Sequence, residues 1–207
     1  GDLVTLPDLA LRATLRPRWL EGVLASVTTS ARLVATTQHS VSPGAAAGAA
    51  DVRSGSALSY PFSVSFAWND AGRLTTGLSL ATTRRVDSLP GTRTSAWSRD
   101  VGANATRSFK LPPEWEMKSD LRTRLAWQRT TTTSWVETTG PSPTRSRLAD
   151  NGRDAISFNA DTDVADNLTF SLQGARIITY DDNLNRRLSQ VVLSAVLQIS
   201  FFAGTLR

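Results

Sequence analysis

The sequence predicts an all-β protein, an antiparallel up-and-down meander of about 8–9 long amphipathic strands. Three observations predict this fold. Apolar residues occupy every second position through a series of long runs, the positions between them carry Ser, Thr, Gln and Asn, and no run has the spacing of an amphipathic helix. Because successive side chains of a strand point to opposite faces, such runs form sheets with one apolar and one polar face.

Four strands are predicted in the N-terminal half. LPDLALRATL and VLASVTTSARLVATT carry apolar side chains two apart, among them Leu9 and Val27. SYPFSVSFAW then places Phe62 and Trp68 on one side, and the tight link NDAG leads into LTTGLSLATTRR, which includes Leu78. Each run alternates with period two, as a half-buried strand does.

The next two strands carry large aromatic side chains. TSAWSRDVGANATRSF groups Trp97 with Phe109, and DLRTRLAWQRTTTTSWVE groups Leu121, Leu125 and Trp127. The run of four threonines favours extended structure because Thr is β-branched.

Three further strands complete the meander: AISFNADT, NLTFSLQGARII and VVLSAVLQISFF. The Asp and Asn residues of YDDNLNRR supply turn chemistry between the last two runs. Strict alternation puts Arg176 on the apolar face, so we expect a β-bulge near Gly174 to turn it to the other face.

The length of the runs favours a membrane barrel over a soluble sandwich. A tilted strand needs roughly 9–11 residues to cross the hydrocarbon layer, and several runs reach that length. The six tryptophans lie mostly near strand ends, where an indole can keep its ring in lipid and its N–H in water. No run of 18 or more apolar residues occurs, so the chain has no candidate transmembrane helix. We therefore expect a bacterial outer-membrane β-barrel.

The two faces give candidate site residues. The residues expected to face lipid are Trp68, Trp97, Leu121, Leu125, Trp127, Phe158, Phe170, Leu172, Leu193, Leu197, Ile199 and Phe201. The residues expected to face the lumen are Arg122, Arg124, Gln128, Asn159, Asp161, Gln173, Ser194 and Gln198. Because this second face is polar in nearly every strand, it favours a wide, solvated lumen, or a lumen that is lined and occupied by other protein.

The links between strands alternate in character. NDAG, KLPPEWEMKS and DVADN are short or compact, whereas HSVSPGAAAGAADVRSGSA, VDSLPG, VETTGPSPTRSRLADNG and YDDNLN include the longest and most Gly-, Pro- and Ser-rich segments. Short turns at one end and long loops at the other are typical of outer-membrane barrels.

The composition offers little for catalysis or cofactor binding. There is no cysteine, and the single histidine, His39, is predicted at the end of a strand running into a loop. The carboxylates of Asp161, Asp163 and Asp166 fit no calcium loop and are interpreted as turn residues. The net charge of +5 comes from arginines that are scattered along the chain, which does not favour nucleic-acid binding. We expect no enzyme activity, no cofactor and no metal; a barrel enzyme is the third hypothesis.

The order of the runs resembles the C-terminal part of the SprA/Sov family, the outer-membrane translocon barrel of the type IX secretion system. The resemblance rests on LPDLALRATL with VLASVTTSARLVATTQHS, on FSVSFAWNDAGRLTTGLSLATTRR, on DLRTRLAWQRTTTT, and on DNLTFSLQGARIITYD with VVLSAVLQISFFAG. It covers most of the chain, although FFAGTLR differs from the aromatic terminus of many barrels.

The resemblance implies that residues 1–207 are one barrel region, the C-terminal fragment of a larger barrel. It implies a protein-secretion conduit linked to gliding motility, with membrane lipid, further barrel strands, secreted cargo and pore-plugging subunits as partners. The alternative is a self-contained small barrel that acts as a porin or structural anchor. An isolated bacterial barrel needs an even number of strands, and the predicted number, near nine, leaves both hypotheses open.

Overall fold

A computed structural model describes residues 2–5, 8–43, 50–70, 73–115 and 117–200. The strands are β1 (Asp2–Thr5), β2 (Leu9–Leu15), β3 (Leu24–Pro43), β4 (Ala50–Trp68), β5 (Thr75–Leu89), β6 (Thr92–Phe109), β7 (Leu121–Thr138), β8 (Arg145–Ala165), β9 (Leu168–Asp181) and β10 (Arg186–Ile199). Two short 3₁₀ turns, Arg18–Leu20 and Pro113–Trp115, are the helical segments of the described chain. No helix in these ranges is long and apolar enough to cross a membrane.

All strands belong to one antiparallel sheet. β1 pairs with residues 36–39 of β3, and β2 pairs with residues 27–33 of β3. Together β1 and β2 therefore occupy the place of a single strand. From there the order follows the chain to β10, which gives nine antiparallel up-and-down strands. The predicted all-β meander and its strand number are confirmed. Among the described residues, β10 does not pair with β1 or β2, and the sheet is not closed.

The pairing register is continuous over most of the sheet. It shifts between Leu24 and Ser26, beside Leu148, and between Asp163 and Ala165. No shift occurs near Gly174, because β9 pairs residue by residue with β10 along its whole length. The expected bulge at Gly174 is therefore wrong, and Arg176 stays on the apolar face.

The strands extend further than the sequence runs indicate. β3, β4 and β8 have 20, 19 and 21 residues, well beyond the usual strand of about 5–6. Most of the Ser- and Gly-rich stretches interpreted as long links pair as strands, since ladder hydrogen bonds use only the backbone. His39, expected at the end of a strand running into a loop, lies within β3, opposite Ser54 and four residues before the last residue of the strand. The predicted contrast of link lengths is wrong: β6 and β7, at the end expected to have short turns, are separated by residues 110–120, a longer link than 90–91, 139–144 or 182–185 at the other end.

The sheet has no packed core of its own. Within the described chain, Leu24 and Ala160 are the only buried apolar residues, and no large side chain is fully buried. Leu125 remains 53% exposed and Leu193 76% exposed. A soluble domain buries such side chains against a second layer. Both faces of this sheet are therefore open to whatever surrounds it.

Candidate functional site

One face of the sheet carries most of the apolar side chains of the long strands. Directly paired residues project from the same side of an antiparallel sheet, so each register row identifies a shared face. One row joins Phe66, Leu125, Phe158 and Leu193 through Thr76, Ala105 and Gly174. By this register the following predicted residues lie on that face: Trp68, Trp97, Leu121, Leu125, Trp127, Phe158, Phe170, Leu172, Leu193, Leu197 and Ile199. Phe201 lies outside the described residues. That this face contacts lipid stays a prediction.

The apolar side chains form a belt that crosses the strands obliquely. We call the end of the sheet at the β4–β5 connection the lower end, and the end at the β5–β6 turn the upper end. At the lower edge of the belt, Phe66 is two residues from the end of β4, yet Gly174 in the same row is six residues inside β9. The lower edge thus moves by four residues over the five strand steps between them. The upper edge moves in the same direction. The belt therefore does not follow the hydrogen-bonded rows.

Arginines mark the upper border of the belt. Arg84 on β5 is level with Thr133 on β7, but the first arginine above the belt on β7 is Arg129, four residues lower. Arg99 on β6 and Arg176 on β9 continue the same oblique line. All four guanidinium groups are exposed, and in the described chain none has a carboxylate within 4.0 Å. We call these four residues the arginine border. Arg176 belongs to this border and not to the middle of the belt.

Aromatic side chains lie at both edges of the belt and use their polar atoms there. At the lower edge, Trp68 Nε1 donates to Thr76 Oγ1 over 3.0 Å. At the upper edge, Trp127 Nε1 donates to Asp154 Oδ1 over 2.7 Å. Trp97 lies two residues above Arg99, so it stands at the border and not within the belt. An indole with an apolar ring and a bonded N–H suits an interface between apolar and wet surroundings.

The opposite face is mostly polar, although β9 and β10 also place Ile177, Leu188, Val192 and Val196 on it. The register puts all the predicted lumen-facing residues on it: Arg122, Arg124, Gln128, Asn159, Asp161, Gln173, Ser194 and Gln198. Four of them, Arg124, Asn159, Gln173 and Ser194, form one row across β7 to β10. Their contact with a lumen stays a prediction.

Ion pairs and hydroxyl contacts connect neighbouring strands on this polar face. Arg122 Nε lies 2.8 Å from Asp161 Oδ2, and its Nη2 lies 3.4 Å from Asp163 Oδ2. The hydroxyls of Ser30 and Ser63 are 2.7 Å apart. Because these groups are mostly half-exposed, they are compatible with a water-filled space and do not need a dry interior.

The described residues contain no group of three or more His, Cys, Asp or Glu side chains placed to hold a metal ion. Reasoning from the sequence missed the arginine border apart from Arg176. The available signal was positional, because Arg84, Arg99 and Arg129 occupy period-two positions of the apolar face, where they interrupt its apolar residues.

The chain matches no known protein family, no curated protein and no solved structure. The geometry of the two faces is therefore the basis for any functional assignment.

Proposed function

We propose that this chain forms part of the wall of an outer-membrane β-barrel, and that the barrel is a wide protein-secretion conduit similar to the type IX translocon. The observation that carries the proposal is the oblique apolar belt. A sheet that packs against a second protein layer has no reason to move its apolar band steadily along the strands. A barrel in a bilayer does, because the band must stay level with the membrane while the strands tilt.

The size of the drift fits this explanation. The lower edge moves four residues over five strand steps, and the arginine border moves six residues over the four steps from Arg84 to Arg176. With a rise of about 3.3 Å per residue and a strand spacing of about 4.8 Å, these drifts correspond to tilts of about 29° and about 46°, on either side of the range for barrel strands. Barrel strands tilt by about 35–45°. The belt is thus oriented as a level hydrocarbon layer would require.

The polar face supports a wide lumen in place of a packed interior. A small closed barrel would bury the charge of Arg124 and the polar side chains of Gln128 and Asn159 with little water, and an unpaired buried charge costs several kcal/mol. A broad conduit leaves these groups hydrated. The resemblance of the strand order to the SprA/Sov family supports the secretion role, with cargo and gating subunits as the partners to be sought.

Strand direction disfavours the alternative of a self-contained small porin or anchor. In a meander of nine strands the first and the last run the same way, so β2 and β10 cannot join by an antiparallel ladder. Bacterial single-chain barrels use even strand numbers. Further strands between β10 and β1 would resolve this mismatch.

Membrane extraction and cross-linking test the proposal. Carbonate washing of native membranes is expected to leave the protein in the pellet, whereas release into the soluble fraction contradicts the membrane assignment. For the conduit, a photo-reactive residue at Gln173 on the polar face is expected to cross-link secreted protein, and one at Leu172 on the apolar face is expected to cross-link lipid. Cross-linking of lipid from both positions contradicts a lumen.

A further inference from the structure

A shallow depression runs along β6 in the middle of the apolar belt. Its floor is formed by Ala103 and Ala105, and its walls by larger side chains on the neighbouring strands, including Leu78, Leu125 and Trp127. The register explains the shape, because Ala103 lies between Leu78 and Trp127, and Ala105 lies between Thr76 and Leu125. Small residues on one strand between bulky neighbours leave a trough along that strand.

Two members of the arginine border lie above this trough, where Val101 follows Ala103 on the same face of β6. Arg99 is on β6 itself, four residues above Ala103, or about 13 Å along the strand. Arg129 on β7 pairs with Val101, two rows above the pair of Ala103 and Trp127 and on the same face. Asp154 pairs with Arg129 in the register, but its Oδ1 accepts the hydrogen bond from Trp127 and it makes no ion pair within 4.0 Å. The two cations are thus free to meet an anion from outside the chain.

We infer that Arg99, Arg129 and the Ala103–Ala105 trough form a binding site for a single anionic phospholipid, an inference that rests on the proposed membrane function. The guanidinium groups of Arg99 and Arg129 bind the phosphate, since their planar donors match phosphate oxygens. One acyl chain lies in the trough below. The two positive charges favour an anionic headgroup. The apolar lining favours a ligand that also carries an acyl chain.

Two variants separate the parts of the site. Arg99→Gln with Arg129→Gln removes both charges, and Ala103→Leu fills the trough without changing charge. The matched controls lie on the polar face: Arg124→Gln with Arg153→Gln removes the same charge, and Ala126→Leu adds the same volume. All are made in the full protein, extracted from membranes into neutral detergent.

Native mass spectrometry with phosphatidylglycerol and with uncharged dioleoylglycerol measures lipid retention. The unaltered protein is expected to prefer phosphatidylglycerol. The double-arginine variant is expected to bind it on the order of tenfold more weakly, a loss of about 1.4 kcal/mol. Ala103→Leu is expected to weaken both lipids, and the polar-face controls are expected to bind as the unaltered protein does. Inorganic phosphate alone is expected not to displace the lipid.

The inference is overturned if the double-arginine variant keeps its preference for phosphatidylglycerol, if both arginine pairs have equal effects, or if inorganic phosphate displaces the lipid. Carbonate extraction of the same membranes distinguishes the two levels of failure. A variant that stays in the pellet but shows no change in lipid preference contradicts the lipid site alone. Unaltered protein that leaves the pellet contradicts the membrane function and the lipid site together.

Discussion

The indole of Trp127 is held at the upper edge of the apolar belt by Asp154. Its Nε1 donates a hydrogen bond of 2.7 Å to Oδ1 of Asp154 on the adjacent strand β8. Asp154 lies two residues above Ile156, the residue that pairs with Trp127. The ring lies in the belt and its N–H points to the arginine border. This hydrogen bond therefore holds the ring of Trp127 at the upper edge of the apolar belt on β7.

We expect Asp154→Ala to lower the free energy of unfolding by about 1 kcal/mol, because it leaves a part-buried indole N–H without its acceptor. Asp154→Asn keeps an acceptor oxygen and should recover part of the loss. Urea unfolding in lipid vesicles, followed by tryptophan fluorescence, measures both. In a double-mutant cycle with Trp127→Phe, strictly additive losses would show that the two side chains do not stabilise each other.

Arginine substitutions at adjacent positions of β10 test the two faces. Leu197 pairs with Phe170 on the apolar face, and Gln198 pairs with Thr169 on the polar face. Leu197→Arg is expected to destabilise the protein by roughly 2–4 kcal/mol if the residue lies near the bilayer midplane, whereas Gln198→Arg is expected to change stability little. Equal losses at both positions, measured by unfolding in vesicles, would show that the assignment of the faces is wrong.

Depth within the belt is tested on β9. Arg176 lies at the border and Leu172 lies four residues deeper on the same face. Arg176→Leu is expected to alter the free energy of unfolding by no more than about 1 kcal/mol, because an arginine near the interface costs little. Leu172→Arg is expected to cost roughly 2–4 kcal/mol. If Arg176→Leu instead stabilises the protein by as much as Leu172→Arg destabilises it, the oblique border is wrong.

Disulfide cross-linking tests whether the nine strands close on themselves, and the absence of native cysteines makes the background clean. Cysteines at Ser30 and Ser63, whose hydroxyls are 2.7 Å apart, are expected to form an intramolecular disulfide. Cysteines at Leu11 on β2 and Leu193 on β10 are expected to stay reduced within one chain. A gel under non-reducing conditions separates the outcomes.

Residues 1–207 alone are also expected to give no compact, heat-modifiable monomer in detergent. If the cysteines of Leu11→Cys and Leu193→Cys instead form a disulfide efficiently, and such a monomer is also seen, the small-barrel alternative is favoured.

Period-two alternation was enough to predict the fold class, the number of strands and the shared faces. Leu125 and Phe158 are 33 residues apart in sequence, yet alternation assigns both to the same face on which the register pairs them. The pattern failed where side chains carry little information about extended structure. Gly55 and Ser56 resemble loop residues but pair within β4, since the ladder depends on backbone groups.

The position of Arg176 could not be interpreted from one strand. On β9 alone it interrupts an apolar run, and a bulge was the local explanation. Only the register with Arg129 and Arg84, two and four strands away, reveals a line of arginines that crosses the sheet. That line depends on the stagger between strands, which no single run contains. The trough could not be predicted from one strand either, because it forms only when Ala103 lies between Leu78 and Trp127 of the neighbouring strands.

The scarcity of buried apolar side chains, with Leu24 and Ala160 alone in the described chain, has a thermodynamic consequence. The heat-capacity change on unfolding follows the apolar surface that becomes exposed to water. In the proposed barrel wall, acyl chains would cover most of that surface and protein would cover little. The heat-capacity change on unfolding would then depend mainly on the host bilayer, and we expect the melting temperature to follow acyl-chain length more closely than substitutions among Leu, Val and Ile on the belt.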